Sequence, residues 1–275
     1  MSAETKVMRA APQTFAGHYS LRGVVASEIT KLRTVRSTMW SFGVLIVLAV
    51  GLSALASSLT TSHWNQVGFG ERVTFDPIRE SLIGVFFGQF AIGVLGVLVI
   101  SAEYTTGTIR ASLAAVPKRS RLLIAKIIVF GSATLIVGEI VAFVSFFIGQ
   151  MLLRSPVPHA TLSSPGALRA VTGDGVYLCL LGLIALGLGC IIRHTAAAVS
   201  AYVSLLLVLP IIIALLPSTV SNDVSRFLPA SIGHTIVSRI QNPHDFSSGV
   251  GLVLLAIYAV VALGVAGYLL VHRDA

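Results

Sequence analysis

The sequence predicts an all-α integral membrane protein with six transmembrane helices. Hydrophobic residues make up 55% of the 275 and charged residues only 11%, where a soluble domain carries about 25% charged residues. Mean hydropathy is +0.90. Six apolar runs are long enough to cross a hydrocarbon core of ~30 Å, which takes ~20 residues as helix. They lie near residues 41–59, 82–100, 122–153, 176–192, 195–216 and 250–271. The third is longer than a perpendicular span needs, so it should tilt or project from the bilayer.

Residues 1–18 are polar and mixed, without the apolar core and small-residue cleavage site of a secretory leader; a flexible cytoplasmic tail is expected. Residues 19–40 place Leu21, Val24, Val25, Ile29, Leu32 and Val35 at three- and four-residue spacing, with Arg22, Glu28, Lys31, Arg33 and Arg36 between them. That pattern predicts an amphipathic connecting helix in the membrane interface, ending at Trp40. Residues 41–275 then form the six-helix transmembrane domain. The loops 63–80 and 154–174 are rich in Gly, Pro, Ser and Thr and too short for an external domain. The stretch 217–246 has apolar residues at helical intervals interrupted by Pro229, Gly233 and Pro243, which predicts short outer-leaflet helices between the fifth and sixth spans.

Between the second and third spans lies a shorter segment, 101–126. Ile109, Leu113 and Val116 recur at helical spacing among Thr105, Thr106, Thr108, Arg110 and Ser112, so the segment can lie at the water boundary, apolar edge down. Pro117 stops it, because its ring nitrogen cannot donate to the helix ladder. Lys118, Arg119 and Arg121 follow where the chain re-enters lipid, suited to anionic headgroups. Glu103 stands at the start of this segment. As a helix cap it would offset the positive dipole end by ~0.3–1 kcal/mol; alternatively it forms an ion pair that carries motion from a partner into a span.

With the amino terminus inside, thirteen of the nineteen basic residues fall in inner segments. Both termini are therefore expected in the cytoplasm. This asymmetry accounts for the net charge of +8 without a nucleic-acid partner.

No lysine follows a glycine, so no phosphate-binding loop is present. His-Glu-x-x-His, Gly-x-Ser-x-Gly and Cys-x-x-Cys are absent too, and the chain is expected not to be an enzyme. It is expected to hold no cofactor or metal. Cys179 and Cys190 sit eleven positions apart on one helix, roughly 16 Å at 1.5 Å per residue, too far to bridge. Glu139 reads as the one acid within a span. At ~2.5–3.5 kcal/mol for an intramembrane carboxylate, it should have a partner or line a transport cavity, and Gln89 is a second candidate for that cavity. Gln150 reads as a helix-to-helix hydrogen-bonding residue.

Glu103, Gly107-Thr108-Ile109-Arg110, Pro117-Lys118-Arg119 and Lys126 resemble the Glu…Gly-Thr-Leu-Arg…Pro-x-Arg…Lys pattern of ABC-2-type permeases, the membrane subunits of bacterial ABC exporters. The segment 26–37 is similar to the connecting helix of actinobacterial members, and Leu228-Pro229-Ala230-Ser231-Ile232-Gly233 to their outer segment before the last helix. The resemblance implies a homodimer of permeases, in contact through the first and fifth spans, with two copies of a cytoplasmic ABC ATPase subunit that bind ATP and Mg. It also implies a plasma-membrane location, and a coupling helix at 103–116 with Glu103, Gly107, Thr108, Arg110, Leu113, Pro117, Lys118 and Arg119 as its ATPase-coupling residues. Because the spans are lined mainly by apolar and small residues, the expected cargo is an amphipathic or hydrophobic compound, as in multidrug efflux. Sodium export, with Glu139 as ligand, is the rival transport reading; a non-transporting scaffold or immunity protein is the rival of another class.

Overall fold

The computed structural model describes residues 20–108, 119–238 and 245–272. Every regular element among them is helical. Helix α1 spans Leu21–Thr34, opened by Ser20, whose Oγ accepts from the Gly23 amide at 3.3 Å. Val35 breaks the chain in an extended conformation, and α2 spans Arg36–His63. The connecting helix predicted over 19–40 therefore ends at Thr34, and Arg36–Trp40 begins the first spanning helix. After a short turn and α3 (Phe69–Val73), α4 runs Pro77–Thr105. Asp76 caps it by accepting from the amides of Ile78 and Arg79, and Pro77 fills the first turn, where a missing N–H costs nothing.

Helix α5 spans Arg119–Leu152, α6 Ala167–Ile192 and α7 Thr195–Ala214. Within α7 a π-helical turn covers Ser204–Val208, two residues short of Pro210. A proline there removes one ladder bond and crowds the preceding turn, and a π-turn is a recognised way for a helix to absorb that. Two short helices, α8 (Ser218–Ser225) and α9 (Pro229–Val237), precede α10 (Ser248–His272). They fall where the interrupted apolar pattern predicted short helices, although residues 239–244 lie outside the described residues.

The six predicted spans correspond to α2, α4, α5, α6, α7 and α10. Helices α4 and α6 are buried over most of their length and make the centre, while α2, α7 and α10 are each 22% buried over their most apolar window. The centre is close-packed because small residues let backbones meet. At Gly84 of α4 an added Cβ would stand 1.9 Å from the Ala49 carbonyl oxygen of α2, and at Gly96 it would stand 2.5 Å from that of Gly182 in α6. Ser53 of α2 reinforces the first crossing by accepting from the Gly84 amide at 3.0 Å. Cys179 and Cys190 are unbridged, as their spacing led us to expect, and both are buried.

Candidate functional site

At the end of the bundle that carries α1, four charged side chains converge. Lys126 Nζ lies 2.8 Å from Glu28 Oε2 and 2.8 Å from Glu103 Oε1. Lys31 Nζ stands 2.8 Å from Glu28 Oε1 and 2.8 Å from Glu103 Oε1. Two acids and two bases thus close a ring across α1, the last turns of α4 and the second turn of α5. Lys126 is 1% exposed and Glu28 5%, whereas Lys31 is 38% exposed. Burial alone would depress the Lys31 ammonium, but its hydrogen bonds to and attraction by Glu103 and Glu28 outweigh that and raise it above its ordinary value.

This geometry corrects the cap reading of Glu103. The residue belongs to the C-terminal turns of α4, where the helix dipole disfavours a negative charge; Lys31 and Lys126 hold it there instead. Gly107 (φ 71°) turns the chain out of that helix, in the left-handed conformation that glycine adopts without penalty. Thr108 is hydrogen-bonded to Thr106 at 2.9 Å between their hydroxyls. Arg119, expected at lipid headgroups, also reaches the Leu270 carbonyl of α10 at 3.0 Å. Arg193 donates to Leu269 O at 3.3 Å, with its guanidinium 5.2 Å from the Tyr104 ring centroid. Both cations thereby meet carbonyls at the negative end of α10. Arg110, Leu113, Pro117 and Lys118, with most of the predicted coupling helix, lie outside the described residues.

The opposite end of α4 and α6, together with α9, encloses a cavity of about 310 Å³. Leu82, Ile83, Phe86, Phe87 and Val237 make its apolar wall, Arg79 and His234 contribute basic groups, and Asp174 and Tyr177 come from α6. Asp174 is 2% exposed and its Oδ2 has no hydrogen-bond partner among the described residues. Burial, with the Arg79 charge adding, pulls the His234 imidazole below its ordinary value, against a smaller opposite pull from Asp245.

Asp174 overturns the reading of Glu139 as the one acid within a span, because α6 starts at Ala167 rather than near 176. Glu139 itself is half-buried, set against Gly175, where an added Cβ would stand 2.5 Å from its carboxyl carbon. It has no hydrogen-bond partner among the described residues and is not among those lining the cavity. Gln89 is fully buried: Tyr177 donates its hydroxyl to Gln89 Oε1 at 2.6 Å, Tyr202 donates to the Gln89 carbonyl at 3.0 Å, and Gln89 Nε2 is unpaired. Gln150 joins helices as expected, donating to Pro77 O at 2.7 Å and to Ser81 Oγ at 2.6 Å.

Two functional candidates escaped the sequence reading, and both carried a faint signal. Glu28 was assigned to the polar face, yet it follows Val24 by four positions and so shares that residue's buried side. Asp174 falls in register with Ala167, Ala170, Val171 and Leu178, all buried on α6. A charge in phase with an apolar stripe was the clue in each case.

The sequence profile of the ABC-2 family transporter proteins matches residues 24–221, well over half of the chain. The chain belongs to that family. No curated protein matches it. The matched region begins within α1, takes in all four residues of the charge ring together with Asp174, and ends within α8. This ABC-2 protein is accordingly a multi-pass membrane protein and a permease subunit of an ABC transporter, a class that associates with an ABC ATPase subunit.

Proposed function

We propose that this permease forms, with a second copy of itself, the path of an ATP-driven exporter for amphipathic or hydrophobic compounds, at the plasma membrane with both termini cytoplasmic. Two copies of a separate ATPase bind ATP and Mg and press on the coupling segment, residues 103–116. The charge ring is the observation that carries this reading. It ties the end of α4 and the start of α5 to α1 through Lys31–Glu103 and Lys126–Glu28, and to each other through Lys126–Glu103, each at 2.8 Å. In a low-dielectric setting such pairs resist separation, so a push on the segment moves three helices together instead of bending one. The apolar outer faces of α2 and α7, with Val47 69% and Ile211 55% exposed, support pairing of two copies through the first and fifth spans.

The test is to co-express the permease with a candidate ATPase, reconstitute the purified complex, and measure compound efflux per folded permease. Turnover should appear only in the assembled complex, and Glu103→Ala or Pro117→Leu should lower efflux more than membrane insertion. Saturable ATP hydrolysis by the isolated permease, or equal loss of efflux and insertion in both variants, would count against the reading. A sodium-exporting reading gains from Asp174, which supplies a second intramembrane carboxylate besides Glu139. Still, no group of three or more His, Cys, Asp or Glu suited to a metal occurs among the described residues. Sodium tolerance of a sensitive host, lost with Glu139→Gln or Asp174→Asn, would favour that reading over compound export.

A further inference from the structure

We infer that the cavity between α4, α6 and α9 binds an organic ammonium compound: a protonated amine set against Asp174, carried on an apolar body of about 15–20 heavy atoms. This rests on the export reading for its physiological meaning and on the cavity alone for its chemistry. Asp174 is 2% exposed, in a cavity whose apolar wall is made by Leu82, Ile83, Phe86, Phe87 and Val237. No described cation forms an ion pair with it within 4.0 Å, and its Oδ2 accepts no hydrogen bond. An ionised carboxylate left so is costly to bury unless a proton or a counter-charge neutralises it. A bound cation would supply that charge.

The lining says what kind of cation fits. A bare metal ion wants six or more oxygens, and carbon makes up most of this wall. An ammonium needs one anion and tolerates hydrocarbon around the rest of its host. Tyr177, three residues along α6 from Asp174, adds an aromatic ring near the charge. Its hydroxyl is already engaged with Gln89 at 2.6 Å, so the phenol is held in place before any ligand enters. Phe86 and Phe87, edge to face with centroids 5.6 Å apart, supply aromatic surface for the body. Arg79, which is exposed, puts positive charge on the lining, and His234 adds an imidazole. They favour a ligand whose far end is a hydrogen-bond acceptor and disfavour a second ammonium. At about 310 Å³ the space is at the small end for ligand pockets, which sets the size of the body.

The probe is (4-benzoylbenzyl)trimethylammonium, photoactivated on the reconstituted permease–ATPase complex without ATP, with 4-methylbenzophenone as its uncharged counterpart. We expect saturable labelling by the ammonium on residues 82–87 and 233–237, cut at least tenfold by Asp174→Asn, with labelling by the uncharged probe unchanged. Val237→Trp, which fills the cavity, should abolish labelling by both. Equal ammonium labelling in parent and Asp174→Asn overturns the inference. So does loss of both probes in Asp174→Asn, since the acid would then be holding the cavity open rather than choosing the ligand. Displacement of the probe by millimolar sodium but not potassium also overturns it. Labelling needs no ATP, so it can succeed where efflux fails, and efflux of uncharged amphipaths can persist where ammonium labelling fails; the two failures are distinct.

Discussion

The two ends of this permease solve the burial of charge in opposite ways. At the α1 end, Glu28, Lys31, Glu103 and Lys126 neutralise one another through four contacts of 2.8 Å. At the α9 end, Asp174 is 2% exposed with no ion-pair partner among the described residues, and Gln89 Nε2 is likewise unpaired among them. The first arrangement pairs all four charges when the chain folds, leaving only Glu103 Oε2 without a hydrogen bond among the described residues. The second is finished only when something else arrives. Closed polar networks brace a structure; open ones leave interaction energy available to a ligand.

That contrast is broken most directly at Lys126. Lys126→Met leaves two buried acids with only half-exposed Lys31 between them, and stability should fall by about 3–5 kcal/mol, read as a lower unfolding midpoint in detergent. Replacing Glu28 and Glu103 by Gln alongside it should recover most of that loss while efflux stays impaired. If the single variant is as stable as the parent, the ring is no brace.

Much of this was readable beforehand, and the physical reason for the remainder differs by residue. Apolar runs of twenty or more residues have few fates other than spanning, so all six spans were legible, and Glu103 and Lys126 stood out by family pattern. What hydropathy cannot supply is the company a polar residue keeps. Asp174 follows Gly173 and precedes Gly175 in a stretch polar enough to pass for loop, and only the packing of α6 against α4 and α9 turns it inward. Glu28 was hidden similarly, since its buried partner, Lys126, lies 98 residues further along the chain.

At the open end the effects should be smaller. Gly233→Ala puts a Cβ 2.4 Å from Tyr177 Cζ, so the phenol must shift and its bond to Gln89 lengthen, at about 1–3 kcal/mol; ammonium labelling should weaken in step. Asp174→Asn replaces a buried acid that pairs with no described cation and should leave stability unchanged or raise it by about 1 kcal/mol, unlike Lys126→Met. A marked loss of stability there would reveal a cation partner and erase the contrast between the ends.

The smallest effect belongs to Lys31. Its pKa is raised in the fold, so its contribution is complete below its ordinary value of 10.5 and disappears as pH climbs through the higher folded value. Because the side chain is 38% exposed, the amount is ~0–1 kcal/mol. Unfolding midpoints followed upward from neutral pH should show a late decline in the parent that Lys31→Met lacks.

The π-turn of α7 has a consequence measured in bilayer thickness. At 20 residues α7 reaches ~30 Å, against ~44 Å for the 29 residues of α4 on which it packs. A thick bilayer strains the short helix while a thin one tilts its long neighbour, and the loosened ladder at Ser204–Val208, beside Pro210, is where α7 yields first. Lipid acyl length thereby loads α7 and α4 against each other, and this transporter should work fastest in membranes whose hydrocarbon depth lets α7 lie relaxed.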